Sequence, residues 1–432
     1  MRVILFIVVL FFFVNPYKSW GLNIEEITTN KGIKLWFVED LTVPIISMNF
    51  SFTGGAFLDL DGKEGTANFV ASLLDESVGE FNGKQFREEM NSLGMKLNFS
   101  VSKDRFSGTF QTITENKKKS FELLELSINK PLFTNEDIEK IRSQMISNLK
   151  LIESDIQALS SNLFEESFYE GHKFSKNEDG SYDSIRSIER EDLINYSKNN
   201  FTKSNLIIGV SGNIEKAELI KLVDSVFGDL SRGKKEDFMV TKINNLKKGK
   251  LVIKKDTPQT SVVFGQIGLR RNDEKYFAAR IANYVLGGGG FQSKLYKNIR
   301  EKRGLVYSIY SYLVPFNGSG VIIGGFQTKN ENVNQTIQLL KEQWKNLSNR
   351  GITQEELDDA KSYFIGSFSR SFSSTKSIAS LLNVVQTFDL GIKYFERRSL
   401  IINSITLEYV NKVSSELFKQ EELFFTIVGD PK

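Results

Sequence analysis

"GTFQT", residues 108–112, returns as "GGFQT" at 324–328, an offset of 216. One such match is chance, but a collinear series is a duplication, and a duplication decides the architecture. At the same offset Leu123 and Leu124 fall on Leu339 and Leu340. "FTNEDIEKIRSQM" at 133–145 is echoed by "ITQEELDDAKSYF" at 352–364, each with a threonine followed three residues later by an acid. That spacing starts a helix, because hydroxyl and acid satisfy amide N–H groups that a first turn leaves without partners. "FTKSNLIIGVSGN" at 201–213 matches "FKQEELFFTIVGD" at 418–430, offset 217. The chain reads as two copies of one unit.

Each copy mixes two periodicities. "IISMNFSF" (45–52) alternates, and "VVFGQIGL" (262–269) is a short apolar run, as strands require. "SFELLELSIN", "TIQLLKEQWKNL" and "LINYSKNNF" carry helical spacing. The two kinds interleave without a regular parallel rhythm, which predicts an α+β fold of two homologous domains, each a mostly antiparallel sheet packed with helices. The polar stretch "SRGKKEDFMVTKINNLKKGK" (231–250) is the expected boundary. The expected division is a first domain over 21–232, a linker over 233–250 and a second domain over 251–432.

Composition is that of a folded protein: 40% hydrophobic, 25% charged and 12% aromatic over 432 residues, enough for large cores. A formal charge of +3 gives no basic stripe for nucleic acid and no acidic tail. The chain opens "MRVILFIVVLFFFVNPYKSWG", one arginine before an apolar run of 12 residues, Val3–Val14. That run is too short to span about 30 Å of hydrocarbon and fits a secretory signal over 1–20. A good small-x-small cleavage site is lacking, so an uncleaved anchor is the alternative. With no cysteine, a lipid-modified leader and a disulfide framework are both excluded. The expectation is an exported, periplasmic protein.

Two stretches bear on chemistry. "GTANFVASLLDES" (65–77) opens where a helix should begin, yet it has no histidine and no acid before its far end. The acids there, Asp75 and Glu76, are expected to solvate the helix end. Zinc-dependent hydrolysis needs about three His or Glu ligands, an open water position and a base. The whole chain holds one histidine, His172 in "FYEGHKFS", which reads as a capping or surface residue of a loop. One histidine also leaves little room for a Ser-His-Asp triad. The second stretch is "YVLGGGGFQSKLYKNIREKRGLVYSIYS" (284–311). Its four glycines, Gly287, Gly288, Gly289 and Gly290, permit conformations and close approaches denied to residues with a Cβ. No Gly-Lys-Ser/Thr follows and no partnered GxGxxG appears, so a phosphate cradle is disfavoured. A plain strand-to-helix turn is the structural alternative.

These features together resemble the inverted-zincin peptidases, the pitrilysin, insulinase and mitochondrial-processing-peptidase family, over nearly the whole mature chain. Their active motif is His-x-x-Glu-His on a helix. Laid on "GTANFVAS", the resemblance puts Asn68 at the first histidine, Ala71 at the glutamate and Ser72 at the second histidine. The third ligand falls at Ser147 or Asn148, neither a carboxylate. All four chemical positions are vacant, so no metal is expected in this chain. The segment 284–311 resembles the family's C-terminal signature, in which an arginine and a tyrosine seven positions apart bind the scissile region of a peptide. Here they are Arg300 and Tyr307, one ending a helix and the other on the next strand, with Gly304 between. A guanidinium and a phenol are donors that hold a carbonyl and stabilise its oxyanion. The bland alternatives are a surface ion-pair partner and a core aromatic.

The resemblance implies a non-catalytic, substrate-binding subunit of a heterodimeric zinc metallopeptidase. Arg300, Tyr307 and the glycine loop would serve a zinc site held by a paralogous partner chain, with peptides as substrates. The alternative is a pseudo-peptidase that binds peptides or acts as a scaffold without hydrolysis.

Overall fold

The computed structural model describes residues 23–234, 243 and 246–432. The proposed leader and most of the proposed linker lie outside the described residues. The first sheet is built from β1 (Glu25–Thr28), β2 (Lys34–Glu39), β3 (Ile45–Thr53), β4 (Lys96–Ser102), β5 (Arg105–Ile113) and β6 (Leu206–Gly212). The second uses β7 (Gly249–Lys254), β8 (Gln259–Ile267), β9 (Val306–Phe316), β10 (Ser319–Lys329) and β11 (Phe424–Gly429). Their orders are β1-β2-β6-β3-β5-β4 and β7-β11-β8-β10-β9. Set β2 on β7 and the two orders coincide, strand for strand. Only β2–β6 and β7–β11 pair in parallel; the other neighbours are antiparallel. The α+β reading and the duplication both hold.

The repeated helix starts also hold. Thr134 caps the Asn135–Ser154 helix by accepting from the Asp137 N–H, and Thr353 forms a full capping box with Glu356 at the Gln354–Phe368 helix. Each cap of this kind stabilises by about 1 kcal/mol.

Each half lends a helix to the other. On β3 the alternation sends Ile46, Met48, Phe50 and Phe52 into the first core. The opposite positions, Ser47 and Ser51, are just as buried, at 1% and 0% exposure. What covers them is the Thr375–Thr387 helix of the second half: Ser47 Oγ meets Thr375 Oγ1 at 2.9 Å, and Ser51 Oγ donates to Asn383 Oδ1 at 3.1 Å. Gly209 on β6 makes this approach possible, since a Cβ there would sit 2.4 Å from the Ala379 carbonyl. Reciprocally, the Ile156–Phe168 helix lies on the second sheet. Its Ser160 Oγ meets Ser261 Oγ at 2.8 Å, the duplicate of the Ser47–Thr375 pair. Phe164 and Phe168 stack at 4.7 Å and pack with Phe424 of β11. Burying each such ring contributes roughly 2–3 kcal/mol. Ile243, from the boundary segment, is buried in the same cluster.

Candidate functional site: an emptied recess and an exposed arginine–tyrosine pair

The Thr66–Leu73 helix starts on a rigid base. Asp59 accepts from the backbone N–H groups of Gly65 (2.9 Å) and Ala67 (3.0 Å), closing orphan donors of the first turn. Burial nevertheless pushes the Asp59 carboxyl up to about 7, against the pull of those two donors and of Lys176. Gly65 adopts φ +91, and a Cβ on it would lie 2.7 Å from Ile185. Gly180, at φ +74, would place a Cβ 2.4 Å from the Glu64 carbonyl. These two glycines let the 177–181 loop lie directly against the helix start.

Between this helix and the Asn135–Ser154 helix opens a recess of about 190 Å³. Asn68 and Ser72 face it from one wall, Ile141, Met145 and Asn148 from the other. The structure thus gathers residues from all three positions that the family resemblance marks as ligands. Of the two neighbours named for the third ligand, Asn148 lines the recess, while the Ser147 hydroxyl donates to the Ser143 carbonyl at 2.8 Å. Ala71, at the position of the base, is buried.

Two polar residues of the recess, Gln144 and Asp179, had no signal in the sequence. Asp179 Oδ1 accepts from Asn68 Nδ2 at 3.0 Å. Burial raises its carboxyl above the ordinary value, and the negative charge of Glu165 adds to the effect while Asn68 opposes it. An acid 111 positions away from Asn68 has no local signal; only the loop that the glycines admit brings it in. The Ser72 hydroxyl donates to the Asn68 carbonyl at 2.9 Å.

This donor set does not fit zinc, which takes thiolate, imidazole or carboxylate ligands. Two amides and a hydroxyl stand at the ligand positions, and Asp179 is the single carboxylate of the recess. Among the described residues no group of three or more His, Cys, Asp or Glu is placed to hold a metal ion.

The acids after the helix behave differently from expectation. Glu76 is 7% exposed, with Arg87 at 2.9 Å on one oxygen and Lys140 at 2.7 Å on the other. It ties the Gly83–Ser92 and Asn135–Ser154 helices together instead of solvating a helix end. Asp75 is half-buried, and burial, then Glu76, raise its carboxyl. His172 caps a short turn: its Nδ1 accepts from the Phe174 N–H at 3.1 Å, beside the Phe57 and Phe174 rings.

In the second half, the glycine run does not turn from strand to helix. It continues the Tyr276–Asn283 helix as a wider π turn, Tyr284–Gly288. Gly287 is buried, and a Cβ there would meet Ser311 Oγ at 2.3 Å, so its role is close packing against β9. Gly290 is exposed at φ +58 with no atom near its Cβ position. Phe291 follows, 74% exposed, its ring edge against Tyr296 at 4.9 Å. Arg300 lays its guanidinium over that same Tyr296 ring at 5.0 Å.

Tyr307 is 87% exposed, which removes the core-aromatic reading. The cause is a β-bulge. Val306 pairs with Thr328 and Ile309 with Phe326, so Tyr307 and Ser308 together oppose Gln327. The extra residue turns Tyr307 outward while Val306 and Ile309 both stay inside.

Comparisons with known proteins agree with this duplicated architecture and its altered site. The profile described as "Insulinase (Peptidase family M16)" matches residues 38–177, and "Peptidase M16 inactive domain" matches 187–364. The chain belongs to the M16 insulinase family. It is 26% identical to "Non-peptidase homolog YmxG" of Helicobacter pylori over 96% of both chains. It is 24% identical to "Uncharacterized zinc protease YmxG" of Bacillus subtilis, over 92% of this chain and 96% of that one. A solved Pseudomonas fluorescens "peptidase M16 inactive domain" superposes with TM-score 0.89 at 24% identity, covering 95% of this chain and 99% of that one. Within the family, this member carries no hydrolytic donor set of its own at the zinc-helix position.

Proposed function

We propose that this chain is the substrate-binding, non-hydrolysing subunit of a paired zinc metallopeptidase. A paralogous partner supplies the metal, its water and the base. Arg300 and Tyr307 then serve as donors to the carbonyl under attack, and Gly288–Gly290 form the loop that meets the peptide backbone. The observation that carries this reading is Tyr307, a tyrosine turned into solvent by a bulge, on the strand that follows the Arg300 turn. A bulge costs ladder hydrogen bonds and is used where a side chain must be re-aimed. The amide and hydroxyl residues at the zinc positions support the division of labour.

The test is reconstitution with a chain bearing His-x-x-Glu-His. Peptide hydrolysis should appear only in the mixture and fall about 10²-fold with Arg300→Ala, by analogy with loss of one oxyanion donor. Tyr307→Phe should also lower it. Unchanged rates in both variants would remove the role given to the pair. The second reading, a peptide-binding pseudo-peptidase without hydrolysis, draws on the "non-peptidase" name of the Helicobacter pylori relative. A stable homodimer with no zinc-bearing companion at native levels would favour it.

A further inference from the structure

The recess in the first half is open and mostly polar, and its fixed hydrogen bonds leave acceptor oxygens turned into it. Ser72 spends its only proton on the Asn68 carbonyl, so its oxygen presents lone pairs to the recess. Asn68 spends an amide proton on Asp179 Oδ1, leaving its own Oδ1 to accept. Asp179 Oδ2 receives no hydrogen bond from the described residues. Asn148 and Gln144 add amides at the open side, each able to turn its oxygen inward. The lining therefore offers acceptors in excess, and its one formal charge is negative.

Three further features narrow the occupant. The wall between the acceptors is apolar, made by Ile141 and Met145, which suits a methylene stem. The volume, about 190 Å³, equals roughly six water molecules of bulk liquid and is too large for a bare ion held by one carboxylate. Asp179 is fixed before any ligand arrives: its N–H bonds Asn177 Oδ1 at 2.9 Å, and the close approaches at Gly65 and Gly180 seat its loop. We propose that this recess binds a primary ammonium group of a peptide, a lysine side chain or a free N-terminus. Asp179 is the counter-ion, and Ser72, Asn68 and Asn148 accept the remaining N–H bonds. An ammonium carries three donors and no acceptor, the complement of this lining. The site is separate from the Arg300–Tyr307 pair and does not depend on the paired-subunit reading.

The test uses the full chain alone, titrated at neutral pH with four versions of one short peptide and followed by calorimetry or amide chemical shifts. The versions carry a free lysine with a blocked N-terminus, an acetylated lysine with a free N-terminus, both amines free, or both blocked. At least one single-amine peptide should bind about tenfold or more tighter than the doubly blocked one, as expected for a charge-assisted hydrogen bond. Whichever single amine suffices identifies the source. Asp179→Asn, which keeps the shape, should remove the preference, and Asn148→Asp, on the exposed side, should strengthen it. Equal binding of the doubly blocked peptide overturns the proposal, as does an unchanged preference in both variants. Hydrolysis with a partner chain is read in a separate assay, so failure of either idea leaves the other standing.

Discussion

The same pair of helices, duplicated, encloses opposite interiors in the two halves. In the first half, the Thr66–Leu73 and Asn135–Ser154 helices part around a polar, open recess. In the second, the Tyr276–Asn283 and Gln354–Phe368 helices close on arginines sandwiched by rings. Arg271 lies 4.3 Å over Tyr276 and 4.9 Å over Phe277; Arg280 lies 4.7 Å over Phe364. Arg398 lies 4.2 Å over Phe368 and donates to the Phe364 carbonyl at 3.1 Å. Burial draws the Arg398 guanidinium below its usual pKa; Arg280 and Arg271 add to this, and Tyr394 opposes it. One half packs this helix pair around buried arginines, and the other leaves it open.

That contrast predicts where stability resides. Arg398→Ala should cost about 3 kcal/mol in urea unfolding, since it empties a buried, ring-lined position and strips the Phe364 carbonyl of its donor. A loss below 1 kcal/mol would mean that the stack is ornament. The first half should instead accept new chemistry. Asn68→His, Ser72→His and Asn148→Glu together restore a zinc donor set, and the triple variant should bind zinc at one equivalent per chain. At a hundredfold excess over its dissociation constant, zinc should add about 2.7 kcal/mol to stability. Absence of uptake would place Asn148 wrongly.

A smaller effect separates the halves by pH. Burial raises the Glu178 carboxyl, next to Asp179, to about 7, from an ordinary 4.5. The folded chain then holds a proton that the unfolded chain has released between those values. The associated stability is complete below about 4.5 and is lost as pH rises through 7. Glu178→Gln should flatten the decline in unfolding free energy between pH 5 and 8; an identical slope would refute the assignment. Smallest of all, Asn68→Ala and Ser72→Ala should each change stability by under about 1 kcal/mol, because both sites are partly open. Larger losses would mean that the recess is structural and not a site.

Legibility followed the range of the interactions. The repeat was readable because matching stretches recur in order at one offset, and the caps at Thr134 and Thr353 because they rest on neighbours three residues apart. The vacant ligand positions were readable through the family resemblance, which places the motif residue by residue on 65–72. The outward turn of Tyr307 was not, since it depends on a bulge set by the register against Gln327. Glu76 was misread as a solvated acid because its partners, Arg87 and Lys140, sit on two other helices. Ser47 and Ser51 carry the polar beat of an alternating strand, a pattern that assigns them to water. Their actual cover is encoded more than 300 residues away.

That distant cover sets a timetable for synthesis. Strand β6 completes the first sheet at Gly212, but the helix that shields its second face ends at Thr387. At about 5–20 residues per second, a ribosome leaves the Ser47–Ser51 face bare for roughly ten to thirty-five seconds. A chaperone holding the nascent chain through that interval would find small hydroxyls and glycine there, with the apolar Val38 beside them still waiting for Ile378 and Leu382.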